Sequence, residues 1–162
     1  MGITITCPGA IVTERADKLG DNLSDKTCNE LISNAQLRNA TGLKDPFSRG
    51  GKPVRVIWDT GATNTLIPKS VAKNAGLRFE PGEETGKINV EFLNCIERCD
   101  TCIVALKFPS DNSIVLNGVE AAIADLPRQE VIIGMDIIML GDFIFTTSDK
   151  KARFSIQAVN DR

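Results

Sequence analysis

The stretch RVIWDTGATNTLIP, Arg55–Pro68, joins an apolar run to one carboxylate, Asp59, and a glycine. The run is dense in strand-forming residues and is ended by Gly61, so it predicts a buried β-strand. A carboxylate at the end of a buried strand is costly unless a partner or a shared proton compensates its charge. We therefore expect a compensating group close to Asp59.

A second apolar run, EVIIGMDII, Glu130–Ile138, lies farther along the chain and reaches a glycine at Gly134. The D-T-G-A loop and this later run together resemble the retropepsin-like aspartic proteases, in which the second strand threads through the first loop. Met135 and Asp136, after the glycine, are similar to the cellular, retrotransposon and bacterial branches of that family. The resemblance covers roughly Val54 to Gln157.

The resemblance implies a role for each residue of the two motifs. Asp59 is the expected catalytic residue. It is supported by the rest of the D-T-G-A loop: Thr60, Gly61 and Ala62. The second strand is expected to hold that loop in place through Ile132, Ile133, Gly134 and Asp136. In such enzymes a water lies between two aspartates that share one proton, because carboxylates about 3 Å apart cannot both ionise.

Only one loop of this kind occurs in the chain, since the other Asp-Thr pair, Asp100–Thr101, is followed by Cys102. The resemblance therefore implies a homodimer in which each subunit contributes one Asp59 across a twofold axis. It also implies an extended polypeptide substrate, held under a flap hairpin spanning residues 88–107 with its tip near residues 94–101. The expected flap contacts are Leu93, Asn94, Cys95, Ile96 and Glu97. No metal or organic cofactor is implied.

Composition excludes several other chemistries. The 162-residue chain contains no histidine, which removes Ser-His-Asp and Cys-His catalysis and the HExxH zinc site. Its 19 basic and 21 acidic residues give a net charge of -2 without charged blocks, so neither nucleic acid nor a membrane is an expected partner. No apolar stretch is long enough for a spanning helix, and the five scattered cysteines favour reduced thiols. We predict a cytoplasmic protein.

The pattern predicts a fold dominated by strands with one or two short helices, and the resemblance implies an all-β, closed retropepsin-like barrel of one lobe per chain. Residues 1–13 supply an N-terminal strand, residues 14–52 a polar arm or insertion, and residues 53–158 the protease domain. Within the arm, a helix from Ser24 to Gly42 and an unstructured segment are both open. Short helices are expected in PKSVAKNAGL and MDIIML, and a hairpin from DFIFTT to ARFSIQ.

Other interpretations remain open at this stage. The same fold without activity would make a dimeric peptide-binding or scaffold module, and Asp59 would merely cap a turn if the resemblance failed. Cys95, Cys99 and Cys102 are hypothesised to form a disulfide across the hairpin, part of a zinc site, or simply buried apolar groups. Trp58 is expected in the core, and Asp136 is expected to cap the short helix or to pair with an arginine.

Overall fold

A computed structural model describes residues 2–7, 31–42, 45–79, 86–92, 95–109, 114–146 and 151–157. These residues form strands and two short helices. In chain order the elements are β1 Gly2–Cys7, β2 Leu31–Asn39, β3 Lys52–Trp58, β4 Leu66–Pro68, α1 Lys69–Asn74, β5 Lys87–Phe92, β6 Cys95–Phe108, β7 Ile114–Ala124, β8 Val131–Ile133, α2 Met135–Ile138, β9 Asp142–Thr146 and β10 Lys151–Gln157.

The main sheet has the strand order β2-β3-β8-β4-β7-β6-β5. An additional pairing between β2 and β6 closes the first six of these strands into a barrel, which removes their exposed edges. Strand β5 stays outside the ring and pairs with β6 alone among the described strands. A smaller sheet has the order β1-β10-β9. The prediction of an all-β closed barrel with two short helices is confirmed.

Strands β3 and β8 are parallel neighbours in the wall of the barrel. Their register pairs Val56 with Val131 and Trp58 with Ile133, and all four side chains are buried. Because strands buried on both faces need no polar alternation, each reads as a continuous apolar run in the sequence. This pairing brings the residue that follows β3, Asp59, beside the end of β8.

Trp58 anchors the core, as the sequence predicts. Its ring lies 5.5 Å from that of Phe108, 5.8 Å from that of Phe143 and 4.9 Å from that of Phe154, measured between centroids. Its indole nitrogen donates a hydrogen bond of 3.0 Å to the hydroxyl of Ser33, so the one polar atom of the ring is satisfied inside the core.

The prediction of a helix or an unstructured segment before residue 52 is wrong for residues 31–39. Residues 31–39 form strand β2, which pairs with β3 on one side and β6 on the other. Burial alternates along β2, with Ser33, Ala35 and Leu37 facing the core. The alternation is hidden in the sequence because a serine takes one core position, where it accepts the Trp58 hydrogen bond. Residues 14–30 lie outside the described residues.

The two helices and the last hairpin follow the sequence pattern. Helix α1 begins after Pro68 and is followed by Gly76 with φ 63°, a conformation that glycine adopts without steric cost. Helix α2 is one turn long, and β9 pairs antiparallel with β10. Neither helix in the described ranges has the length and apolar character to cross a bilayer.

The predicted tip of the flap hairpin is placed wrongly. Phe92 pairs with Cys95, so the returning strand already begins at residue 95, whereas residues 93 and 94 lie outside the described residues. Residues 99–101, expected in the tip, instead belong to β6 and pair with β5 or β7. Cys99 and Thr101 are buried within this long strand, whereas the tip of a hairpin would expose them.

Candidate active site

Asp59 is the first residue after β3. Its backbone N–H donates to the carbonyl oxygen of Ile133 at 3.0 Å, which extends the β3–β8 ladder by one bond. Its side-chain Oδ1 accepts a hydrogen bond of 2.8 Å from the N–H of Gly61. The Asp59 side chain is exposed in the single chain. The burial that we expected from the sequence therefore does not hold for one copy, in which solvent and the Gly61 N–H stabilise the carboxylate.

The rest of the D-T-G-A loop surrounds that carboxylate. A Cβ atom on Gly61 would lie 3.1 Å from Asp59 Oδ1, so a larger residue would crowd the acceptor of the loop hydrogen bond. Thr60 and Gly61 are exposed and Ala62 is half-buried. The carbonyl of Ala62 accepts the N–H of Met135 at 2.8 Å, which ties the loop to the start of α2.

Gly134 lies where the second motif passes closest to the Asp59 loop. A Cβ atom there would be 2.5 Å from the carbonyl carbon of Asn64, 2.6 Å from its oxygen and 3.0 Å from the carbonyl oxygen of Ala62. These are backbone atoms, so no side-chain rotation could relieve the clash. Glycine is therefore required by a close backbone approach, not by its own dihedral angles, which are extended.

Asp136 connects the two motifs through hydrogen bonds. Its Oδ2 accepts the Thr65 N–H at 2.8 Å, and its Oδ1 accepts the Thr65 hydroxyl at 2.8 Å and the Ile137 N–H at 2.9 Å. The Thr65 hydroxyl in turn accepts the Gly134 N–H at 3.3 Å. Asp136 lies inside the first turn of α2, whose N-cap is Gly134 without a side-chain cap hydrogen bond, so the expectation that Asp136 caps this helix is wrong. The arginine expected as the alternative is also wrong, because the side-chain partner of Asp136 is Thr65.

This network matters energetically because its donors are buried. Thr65 is completely buried, and a buried donor left without a partner costs about 1–3 kcal/mol. The network therefore stabilises the relative position of the Asp59 loop and of helix α2. The sequence analysis expected Asp136 to hold the Asp59 loop in place but did not identify Thr65 as the residue it contacts.

A cleft of about 720 Å³ opens beside Asp59. One wall is the Asp59 loop and its continuation into β4, and the other is strand β5. The described residues lining it are Asp59, Gly61, Ala62, Thr63, Asn64, Leu66, Asn89, Val90, Glu91, Phe92, Leu126 and Ile132. An open, partly apolar cleft with a carboxylate at its side is suited to binding a ligand.

The described flap residues predicted from sequence do not line this cleft in the single chain. Cys95, Ile96 and Glu97 are exposed on β6 and are not among the described residues that line this cleft. Leu93 and Asn94 lie outside the described residues. The cleft is lined instead by residues 89–92 of β5, which sequence reasoning missed. The alternating apolar residues Ile88, Val90 and Phe92 predicted a strand. Which strand borders the cleft beside Asp59 is known only from the tertiary structure.

The three clustered cysteines all lie on β6, as free thiols. A strand rises about 3.3 Å per residue, so Cys95 and Cys99 are about 13 Å apart and Cys99 and Cys102 about 10 Å apart. A disulfide requires Cα atoms within about 7 Å, so the hypothesis of a bridge across the hairpin is wrong within one chain. Among the described residues, no three Cys, Asp or Glu side chains are grouped as metal ligands would be.

The thiols should differ sharply in reactivity. Burial raises the pKa of Cys102 to about 12, and burial together with the nearby charges of Glu97 and Asp100 raises the pKa of Cys99. Because the thiolate is the reactive form, we expect iodoacetamide at mildly alkaline pH to label Cys95 at least about a hundredfold faster than Cys102. Peptide mapping by mass spectrometry after short pulses measures both rates. Equal labelling rates of Cys95 and Cys102 in the folded protein would contradict this prediction. In urea-unfolded protein, the control, the two rates should be equal.

The similarity of this chain to known proteins identifies the family to which it belongs. The family model described as aspartyl protease matches residues 46–137, more than half of the chain, including the Asp59 loop and the Gly134 motif. No curated protein matches the chain.

Among solved structures, the fold is similar to that of a retropepsin-like aspartic protease from Rickettsia conorii. The TM-score is 0.52 at 11% sequence identity, over 96% of this chain and 91% of that chain. The EIAV protease complexed with the inhibitor HBY-793 matches with a TM-score of 0.48 at 16% identity, over 75% of this chain and 92% of that chain. The predicted retropepsin-like fold is confirmed, and by the family match the chain belongs to the aspartyl protease family.

Proposed function

We propose that this protein is an aspartic endopeptidase that hydrolyses peptide bonds through a water activated by two aspartates, one Asp59 from each subunit of a homodimer. The observation that carries the proposal is the Asp59 carboxylate itself. It is exposed, it lines the cleft, and it is oriented by the Gly61 N–H at 2.8 Å. Only Oδ1 of Asp59 accepts a hydrogen bond from the described residues, whereas both oxygens of Asp136, which serves the fold, accept backbone N–H groups.

The proposed chemistry needs one acid and one base. One carboxylate of the pair removes a proton from the water as its oxygen attacks the substrate carbonyl carbon, while the other, protonated, carboxyl protonates the amide nitrogen that leaves. The pair thus gains one proton from the water and loses one to the leaving nitrogen, so it again holds a single shared proton and titrates as a unit. Carboxylates and water suffice for this cycle, so the proposal requires no metal or organic cofactor.

The second aspartate must come from another copy of the chain. Asp59, Thr60 and Gly61 are exposed at the surface of the single chain, so the same loop of a partner could approach them. A twofold axis through this point would bring two identical carboxylates together in an isologous interface. This arrangement would supply the compensating group that the sequence demands for Asp59.

The topology of β5 supports an extended polypeptide as substrate. Strand β5 ends the main sheet and borders the cleft, so one of its edges has no partner among the described strands. Unpaired N–H and C=O groups on such an edge can bind a peptide as an added strand. In the proposed enzyme, the β5–β6 hairpin is the flap that closes over the substrate. The free thiols on β6 favour the reducing cytoplasm as its compartment.

The test measures peptide cleavage and assembly together. A mixed peptide library is incubated with the protein from about pH 3 to pH 7, the range in which a shared-proton pair of carboxyl groups operates. Sedimentation measures the fraction of dimer at the same protein concentrations. The activity per chain should rise with protein concentration in proportion to the dimer. Full activity in a strict monomer would refute the paired mechanism, and a dimer that binds peptides without cleaving them would be a silent binding module.

A further inference from the structure

The cleft beside Asp59 carries charge of one sign. Among its described lining residues, the charged ones are Asp59 and Glu91, and both are acidic. Asp59 is assigned to the proposed chemistry, whereas Glu91 has no role in that mechanism. Glu91 forms no ion pair or hydrogen bond with the described residues, and it is exposed on β5. A free carboxylate in a substrate cleft is available to a charged group of the substrate.

The geometry of β5 determines what Glu91 would meet. The strand alternates, with Val90 buried against the core and Glu91 exposed, and it pairs with β6 on one edge only. A peptide added to the free edge would continue the sheet. A peptide residue would then lie directly opposite Glu91 with its Cβ about 5 Å away.

We propose that Glu91 selects polypeptide substrates that carry lysine or arginine at the position opposite it and disfavours those with aspartate or glutamate there. The inference rests on the proposed function, since it assigns substrate preference to the same cleft. Opposite charges facing each other across paired strands attract and like charges repel.

The proposed homodimer doubles the effect. Each subunit would contribute one β5 strand and one Glu91, related by the same twofold axis as the two Asp59 residues. Two positions of an extended substrate, one on each side of the cleaved bond, would then face a carboxylate. The preferred substrates would be polypeptides in which basic residues flank the cleavage site.

The experiment compares substrates that differ in one charge. A cleaved peptide is varied to Lys, Gln or Glu at each position on both sides of its cleaved bond, and kcat/KM is measured for each. Two substrate positions, one on each side of the cleaved bond, would face a Glu91. At one or both of them we expect kcat/KM of the Lys peptide to exceed that of the Glu peptide about three- to tenfold. Glu91→Gln should abolish this ratio and Glu91→Lys should invert it at the same position. An unchanged ratio in Glu91→Lys would overturn the inference.

A matched control separates local charge from net charge. Asp142 is exposed on β9 and does not line this cleft, so Asp142→Lys changes the net charge by the same amount and should keep the wild-type ratio. Inversion of the ratio by Asp142→Lys would also overturn the proposal. Loss of all cleavage in Glu91→Gln at retained fold would overturn it as well, because it would place Glu91 in the chemistry.

Binding measurements keep this test independent of catalysis. Fluorescence anisotropy of the Lys and Glu peptides with the Asp59→Asn variant, and with Asp59→Asn combined with Glu91→Lys, gives the same ratio as dissociation constants. A charge preference that inverts with Glu91→Lys supports the inference even if the wild type cleaves nothing. Absence of cleavage would refute the proposed function. A ratio of dissociation constants for the Lys and Glu peptides that does not change with Glu91→Lys would refute the role of Glu91 in specificity.

Discussion

Replacement of Asp59 by asparagine should lower kcat for peptide cleavage by about a thousandfold or more, with the fold unchanged. Asparagine cannot share a proton with a partner carboxylate, so the water between the subunits loses its base. The amide oxygen can still accept the Gly61 N–H that Asp59 Oδ1 accepts at 2.8 Å, and therefore the loop should keep its position. The measurement is steady-state kinetics together with the thermal midpoint of unfolding, which should stay close to that of the wild type.

Mixed dimers sharpen this result. When wild-type and Asp59→Asn chains are combined in equal amounts and allowed to exchange, the activity of the wild-type chains should fall to about one half, since half of them pair with a variant chain. Asp142→Asn, a change of an exposed carboxylate on β9, is the matched control and should leave activity unchanged. Cleavage that survives loss of the Asp59 carboxylate would contradict the assignment of this residue.

Gly134→Ala should destabilise the protein by about 3 kcal/mol or prevent folding. The added methyl group would lie 2.5 Å from the backbone of Asn64, so either β8 or the Asp59 loop must move. Such a shift would also strain the Thr65–Asp136 network, and overpacking at a site with no rotamer to adjust costs about 1–3 kcal/mol or more. Urea unfolding followed by tryptophan fluorescence reports the loss, because Trp58 lies at the end of β3.

The control for this substitution is Gly42→Ala. A Cβ atom there meets nothing within 4 Å, and the residue has no left-handed backbone conformation. Its effect should stay within about 0.5 kcal/mol, as for an ordinary surface position. A Gly134→Ala variant as stable as Gly42→Ala would show that the loop and β8 can separate, contrary to the close backbone approach described above.

The motifs near the Asp59 loop could be recognised in the sequence because their signals are local. The apolar run before Asp59, the proline before α1 and the glycines after each element each constrain the backbone within a few residues. Their order also carried the resemblance that led to the family. The helix α1 and the hairpin of β9 and β10 formed where these signals predict them.

Other features could not be predicted from the sequence because they depend on contacts between residues that are distant in the chain. Strand β2 reads as a helix or an arm until β3 and β6 pair with it, and its buried Ser33 is satisfied by an indole 25 residues away. The partnership of Thr65 with Asp136 spans 71 residues. The lining of the cleft by β5, and the separation of the three thiols along β6, follow from strand register.

The sequence by itself determined the chemistry available to this protein: a single D-T-G-A carboxylate, a glycine-ended apolar strand to hold it, and no histidine anywhere. Residue types and short spacings carry that information because they set which protons and backbone conformations are possible. Tertiary structure alone decided what faces that carboxylate. Which strand borders the cleft, and which charge it presents to a substrate, depends on pairings between segments far apart in the chain, whose free energy is gained only when the whole barrel closes.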